Sequence, residues 1–560
     1  MKRPKLDELT LTEKISQLLM VRQSVTAFKL AEGCADKFIR RTDEEIAEIM
    51  GKYQYGGIWH AGMHLFNAIS MEEGTDKKAT TADSKALVEA VSAAVRLPVL
   101  VGVDCEKGTG GDFSDGTYCC SALAVGAADD EELTFQLNAA IAREIRAAGG
   151  NWRWMPVVDL INRYCAGFGR TVSDDIDKII KHARAAIKGT ESQKVASTVK
   201  HFPGNDPYEI RDAHIVTTAI DISMEEWWET QAKTFQGVID AGVDSVMIGH
   251  TAFPAADDTM VNGQYLPATM SRKIIQGLLR EQMGFDGVVI TDGMQMSGLN
   301  AICPYEEVLV RCINAGNDML LGVNPYDYEI VEKAVLDGRI PMERINESAE
   351  RILKLKEKIG LFDDAPAEEI DMQVQAPLTA EIDRKIAEKS ITLLYDKQQL
   401  LPLSKDKIRK VAIVCSSHAA DTAKRLEIMK AEFEQRGATV TITEELYNRQ
   451  NVEDLAAEND LIVYAAYVAM HTPAGMPSLY GDKMKHYFHA FTRGKEKSIG
   501  VSLGYPFAHI DFMAGADTFF NIYYPNPESL KALVKVLYGE LPPCTVSPID
   551  VEPKRRIVYG

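Results

Sequence analysis

Gly284-Phe285-Asp286-Gly287-Val288-Val289-Ile290-Thr291-Asp292-Gly293-Met294 reads as a turn, a short apolar strand and an ionisable residue delivered at the strand's end. The run is too short for a buried helix and suits a strand covered on both faces. Similar runs recur along the first part of the chain: Gly57-Ile58-Trp59-His60, Val99 to Asp104, Trp152 to Asp159, Ala196 to His201, Ser245 to His250 and Asp318 to Gly322. Between them lie longer amphipathic stretches such as Glu131 to Ala148, with apolar residues three and four apart. Ile15 to Val21 fits either a further strand or a helix. Strand and helix alternating at this interval predict a parallel sheet closed into a barrel.

The ends of these runs carry a second message. Asp104, Asp159, Lys200-His201, His250 and Asp292 all close an apolar run. Strands of a parallel barrel point their C-terminal ends at one face, so these side chains are expected to converge on one mouth. Any one of them alone reads as a polar cap before a loop. Their shared position favours convergence.

The helical pattern continues from Arg344 to Ile359 and stops at Gly360; Asp363 to Pro377 then reads as an exposed linker. Beyond it, Val411-Ala412-Ile413-Val414, Thr439 to Thr443, Leu461 to Tyr467 and Ser498 to Leu503 read as strands, with helical pattern from Ala420 to Arg436 and from Pro527 to Gly539. The expected architecture is an α/β chain. A TIM-type (β/α)8 barrel spans 1–362, a linker 363–381, and a smaller α/β sandwich 382–560. The second part is read as bracing the barrel, lending a loop to its pocket or supporting a homodimer.

Composition bounds the partners. A net charge of −19, with both signs mixed along the chain, disfavours nucleic acid and anionic membrane surfaces. The first residues, Met1 to Glu8, hold no apolar core of a signal peptide, and no run of eighteen apolar residues occurs. Nine scattered cysteines without a C-x-x-C pair read as reduced thiols, so a cytoplasmic protein is expected, with no metal and no cofactor.

Three groups of residues could carry chemistry. Asp292 at its strand end could attack an anomeric carbon, with Gly293 allowing a ligand to approach closely; the plain structural alternative is an Asp capping the next helix. Lys200 and His201, in Lys200-His201-Phe202-Pro203-Gly204, could hydrogen-bond sugar hydroxyls, and in Asp212-Ala213-His214 the carboxylate could orient the imidazole for general acid and base work. His201, Asp206, Asp212 and His214 also admit a metal-binding reading. Asp104 could accept bonds from vicinal hydroxyls, Arg170 in Phe168-Gly169-Arg170 could hold Asp104 or a substrate oxygen, and Glu106 is the rival catalytic carboxylate.

Together these motifs resemble glycoside hydrolase family 3. Pro267-Ala268-Thr269-Met270-Ser271 through Leu278-Leu279-Arg280-Glu281 to Asp292 is similar to that family's nucleophile region, and Lys200 to Gly204 to its substrate-binding signature. Asp212-Ala213-His214 and Val246-Met247-Ile248-Gly249-His250-Thr251-Ala252-Phe253-Pro254-Ala255 resemble its β-N-acetylhexosaminidase branch. The resemblance implies a retaining exo-β-glycosidase with Asp292 as nucleophile, His214 as acid/base and Asp212 as its partner. It further implies sugar contacts at Asp104, Arg170, Lys200, His201 and His250. A β-glucosidase of the same family and a sugar-binding relative that has lost catalysis are the alternatives. Departures occur at Asn205-Asp206-Pro207-Tyr208, at Lys107-Gly108-Thr109-Gly110-Gly111 after Glu106, and at Gly293, where the family carries Asp. They line the expected pocket and leave the sugar and its aglycone open.

Overall fold

The computed structural model describes residues 1–22, 28–30, 38–40, 42–59, 79–160, 169–206, 209–364, 368–446, 448–468, 479 and 481–552. His60, Phe168, Pro207 and Tyr208, singled out above, lie outside the described residues. The chain divides into two compact units. One comprises Met1–Thr117, Thr134–Leu160 and Ile180–Thr379; the other comprises Tyr118–Leu133, Ala380–Gly560 and the intervening Ile161–Ile179, so far as each is described.

The first unit is an eight-stranded parallel barrel. Its strands are β1 (Leu19–Arg22), β2 (Gly57–Trp59), β3 (Leu100–Val103), β4 (Trp152–Arg153), β5 (Ala196–Phe202), β6 (Ser245–Ile248), β7 (Val288–Gly293) and β8 (Met319–Val323). Each pairs with its sequence neighbours, and β1 closes the circle, with Met20 opposite both Gly57 of β2 and Leu321 of β8. The ambiguous Ile15 to Val21 turns out to hold both elements. A helix over Leu11–Gln17, whose Thr10 cap accepts from Glu13 N, ends one residue before β1 begins.

Inward-facing side chains fill the barrel. Met20, Leu100, Trp152, Trp154, Ala196, Met247, Val288, Ile290, Met319 and Leu321 form one buried cluster. Full burial stabilises each large member by about 1.5–3 kcal/mol. Trp152 fits because its Nε1 donates to Thr198 Oγ1 at 2.6 Å, so a buried indole N–H keeps a partner. Gly102 is required opposite Trp154: a Cβ there would lie 2.2 Å from the indole Cζ2. At the opposite end of the strands, buried Asp318 receives Arg280 at 2.6 Å, Arg344 at 2.5 Å and the Val289 backbone N–H at 3.0 Å, which ties β7 and β8 to the surrounding helices.

The second unit holds a six-stranded sheet. Its strands β9 (Thr392–Asp396), β10 (Lys410–Ser417), β11 (Thr439–Thr443), β12 (Leu461–Tyr467), β13 (Ser498–Ser502) and β14 (Thr518–Asn521) run in the order β9-β14-β13-β12-β10-β11. All neighbours are parallel except β9, which runs antiparallel to β14. Part of the expected linker 363–381 is ordered differently. A helix starts at Met372 and runs to Ser390, with Gln375 held by Arg143 Nε at 2.9 Å and Thr379 fully buried. The acidic, Pro-containing composition concealed these anchoring polar contacts.

Candidate active site

Asp292 stands at the C-terminal end of β7, half-buried, with its Oδ1 accepting the Gly293 N–H at 2.7 Å. Directly after it the backbone is held from below. The carbonyl of Gly293 accepts from His250 Nε2 at 3.0 Å, and His250 Nδ1 lies 3.0 Å from Thr269 Oγ1. A ring that donates through Nε2 and accepts through Nδ1 is neutral. Burial agrees, pushing the His250 imidazole below its ordinary value. His250 was expected to contact sugar. It is 1% exposed and engages protein through both ring nitrogens, so its place is beside the Gly293–Met294 peptide.

Lys200 and His201 sit on β5. Lys200 is almost wholly buried and pairs with Asp104 Oδ1 at 2.8 Å and Glu106 Oε1 at 3.0 Å, the partners that a buried ammonium requires. Asp104 keeps about half of its side chain open to solvent, so it can also meet a ligand. His201 is gripped twice by Asp159: its backbone N–H donates to Oδ1 at 2.9 Å, and Nδ1 lies 2.7 Å from Oδ2. Asp159 was visible in the sequence as a strand-end carboxylate, but its pairing with His201 was not foreseen.

The third component is a loop. Asp212, buried, accepts the His214 backbone N–H at 2.9 Å and pairs with His214 Nδ1 at 2.6 Å, while the His214 side chain is 37% exposed. This loop docks onto the segment that follows Asp292. Ser297 N donates to the His214 carbonyl at 3.0 Å, and Thr217 Oγ1 donates to the Gly298 carbonyl at 2.8 Å. Gly298 allows this approach: a Cβ there would meet the carbonyl oxygens of Ala213 and Val216, each at 2.5 Å.

The electrostatics follow from this convergence. Burial raises the Asp292 carboxyl, but the nearby imidazoles of His201, His250 and His214 and the Gly293 N–H outweigh it, leaving the group at about 2. Asp292 is therefore ionised at neutral pH and surrounded by three histidines. A carboxylate and an imidazole with an exposed edge can together perform nucleophilic attack and proton transfer. The residues of the alternative metal set are engaged in protein contacts, two of them with each other. His201 engages Asp159, His214 engages Asp212, and Asp206 Oδ2 accepts the Asp221 N–H at 2.6 Å. Of the expected site residues, Asp104, Lys200, His201, Asp212, His214, His250 and Asp292 all belong to the barrel unit, whereas Arg170, half-buried, is grouped with the second unit.

A closed parallel barrel with ionisable residues converging at its strand ends is the framework of a barrel enzyme, a fold that hosts many chemistries. Comparison with known proteins narrows this. Residues 10–355 match the family model described as the glycosyl hydrolase family 3 N terminal domain, so the chain belongs to that family and is a glycoside hydrolase acting on carbohydrate. It is 26% identical over 522 residues to a β-N-acetylglucosaminidase/β-glucosidase of Cellulomonas fimi, covering 89% of this chain and 90% of that one. It is 32% identical over 264 residues to a β-hexosaminidase of Xylella fastidiosa (strain 9a5c), covering 45% and 75%. Among solved structures, a β-glucoside phosphorylase BglX bound to 2FGlc superposes with a TM-score of 0.81 at 25% identity, over 98% of this chain and 95% of the other. A family 3 β-N-acetylglucosaminidase from Paenibacillus sp. str. FPU-7 gives a TM-score of 0.78 at 25% identity, over 97% and 99%. Among the described residues no helix is long and apolar enough to cross a membrane.

Proposed function

We propose that this chain is a retaining exo-β-glycosidase that removes β-linked N-acetylhexosamine, with Asp292 as nucleophile, His214 as acid/base and Asp212 as the partner of His214. Asp104 and His201 are assigned to sugar contacts, with Lys200, 1% exposed, acting on the sugar through the Asp104 it holds, and Arg170 is carried as a further contact from the sequence. The observation that supports this most strongly is the hydrogen bond from Ser297 N to the His214 carbonyl, which fixes the His214–Asp212 loop to the segment five residues beyond Asp292.

In the first step Asp292 attacks the anomeric carbon through Oδ2, since Oδ1 is engaged by Gly293 N–H. The glycosidic bond breaks with its electron pair moving to the leaving oxygen, which takes a proton from His214 Nε2. In the second step His214 accepts a proton from water, water attacks the same carbon, and the ester to Asp292 breaks, so configuration is retained. Asp212 holds Nδ1 and leaves Nε2 to exchange the proton, as a carboxylate does for the imidazole of a hydrolytic triad. Glu106, the rival carboxylate, is instead committed to Lys200.

A second reading concerns the acceptor. A histidine that has given up its proton is neutral, so an anion such as phosphate is not repelled from the glycosyl-enzyme as it would be by a glutamate. The match to a structure titled as a β-glucoside phosphorylase supports testing it. The experiment is hydrolysis of an aryl N-acetyl-β-glucosaminide against the aryl β-glucoside, each with and without phosphate, scoring free sugar and sugar 1-phosphate. Faster turnover of the N-acetylglucosaminide is expected. Equal or faster turnover of the glucoside would overturn the substrate assignment, and sugar 1-phosphate as the main product would replace hydrolysis by phosphorolysis.

A further inference from the structure

The backbone carries Asp159 to its position in register with β5. Beyond β4 the pairing continues irregularly: Lys200 N donates to the Pro156 carbonyl at 3.3 Å, Val158 N donates to the Lys200 carbonyl at 3.1 Å, and Val157 bridges Lys200. The next residue, Asp159, therefore falls beside His201. Its side chain is 3% exposed, and both of its oxygens are directed to the one histidine. A buried carboxylate requires such partners, but a purely structural one could find them on any nearby backbone. Here the grip takes the peptide and the ring of the same residue, leaving His201 no rotamer freedom at Nδ1 and restricting ligand contacts to Nε2.

We propose that Asp159 is a positioning residue of the glycosidase reaction: by clamping His201 at its backbone and ring, it keeps that imidazole in one orientation beside Asp292. This rests on the mechanism proposed above. Several groups surround the clamp. Asp292 lies on β7, His250 follows β6, and Lys200 with its partners Asp104 and Glu106 lies next to His201 on β5; His214 acts on Asp292 from its loop. Gly249, after β6, packs against the base of the His201 side chain, since a Cβ there would sit 3.3 Å from His201 Cβ. Among the imidazoles that hold the Asp292 carboxyl down, His201 acts most strongly, so a loosened ring should be felt at Asp292.

The test uses Asp159→Asn, with Asp159→Glu as the conservative variant. Asn removes the charge and offers one acceptor oxygen where the clamp uses two, so the His201 peptide N–H and ring Nδ1–H can no longer both be held. The expected result is a fall in kcat/KM of about 10- to 100-fold for good and poor leaving groups alike, with the acid limb of the pH profile displaced to higher pH and partial recovery in Asp159→Glu. A folded Asp159→Asn enzyme within about two-fold of the parent, with an unmoved acid limb, would overturn the proposal. A second readout does not depend on turnover. In the 15N-labelled protein, the His201 ring signals, assigned by their loss in His201→Gln, should report a protonated, hydrogen-bonded Nδ1 in the parent and lose that signature in Asp159→Asn. Unchanged ring signals would reject the clamp even if the parent cleaved no glycoside, whereas an inactive parent with altered ring signals would reject only the proposed reaction.

Discussion

Two histidine–aspartate pairs lie in this barrel unit and share a plan, although Asp159 holds its histidine with both carboxylate oxygens and Asp212 with Oδ1 only. In each, a buried carboxylate takes both the backbone N–H and the Nδ1 of one histidine, at 2.9 and 2.7 Å for His201 and at 2.9 and 2.6 Å for His214. They differ in what carries them. His201 is on β5 and Asp159 follows β4, so two paired segments of the barrel fix that ring, and it is 15% exposed. His214 and Asp212 are two residues apart on one loop, and that ring is 37% exposed. The same chemical unit thus serves two ends. Anchored across strands it presents a fixed group to Asp292; anchored within a loop it leaves an accessible edge suited to moving a proton in the proposed mechanism.

The largest expected effect removes the group both pairs serve. Asp292→Asn should lower kcat by about four orders of magnitude or more on every glycoside, read by steady-state hydrolysis. Retention of activity would leave both pairs without their common target. Next, His214→Ala should cost about 10²- to 10⁴-fold on alkyl or sugar leaving groups while sparing a dinitrophenyl leaving group, which needs no proton. That dependence on the leaving group separates the loop pair from the strand pair. An equal loss on both substrates would erase the distinction.

A smaller effect probes the docking of the loop. Gly298→Ala places a methyl 2.5 Å from two loop carbonyls and must displace the segment bearing His214, so kcat/KM for poor leaving groups should fall about 10-fold or more. Gly293→Ala meets only the flexible Gln295 side chain, at 2.6 Å, and should be milder. If the two substitutions rank in the opposite order, the loop contact does not govern the acid. The smallest effect is on stability. The Asp292 carboxyl is depressed to about 2 in the folded chain, so its contribution is present above the ordinary carboxylate range and is lost as pH falls from about 4 toward 2. Denaturant melts across that window should show the parent losing more stability than Asp292→Asn.

Much of this was legible because barrel strands are short apolar runs ending in polar residues, and the alternation of strand and helix survives in one dimension. Asp104, Lys200, His201 and Asp292 were singled out by that rule, and the structure places each at or just beyond the end of a barrel strand. His250 was found too, but its neutral, two-sided engagement depends on Thr269 and the Gly293 carbonyl, which no local pattern displays. The run Trp152 to Asp159 shortens to two regular strand residues because Pro156 has no N–H to donate. The tie between Asp159 and His201 spans 42 residues and exists only through strand pairing. In the second unit, β14 is a four-residue strand whose antiparallel partner β9 lies more than a hundred residues earlier, a pairing that apolar runs alone do not encode.

The whole mechanism depends on Asp292 forming the bond to the sugar. Incubation with a fluorinated N-acetylglucosaminyl fluoride that traps the glycosyl-enzyme, followed by intact mass and peptide mapping, tests it directly. One sugar per chain, carried on Asp292, is the expected result. A label mapped to Glu106 or any other side chain, or no label from an enzyme that still turns over its substrate, would contradict it.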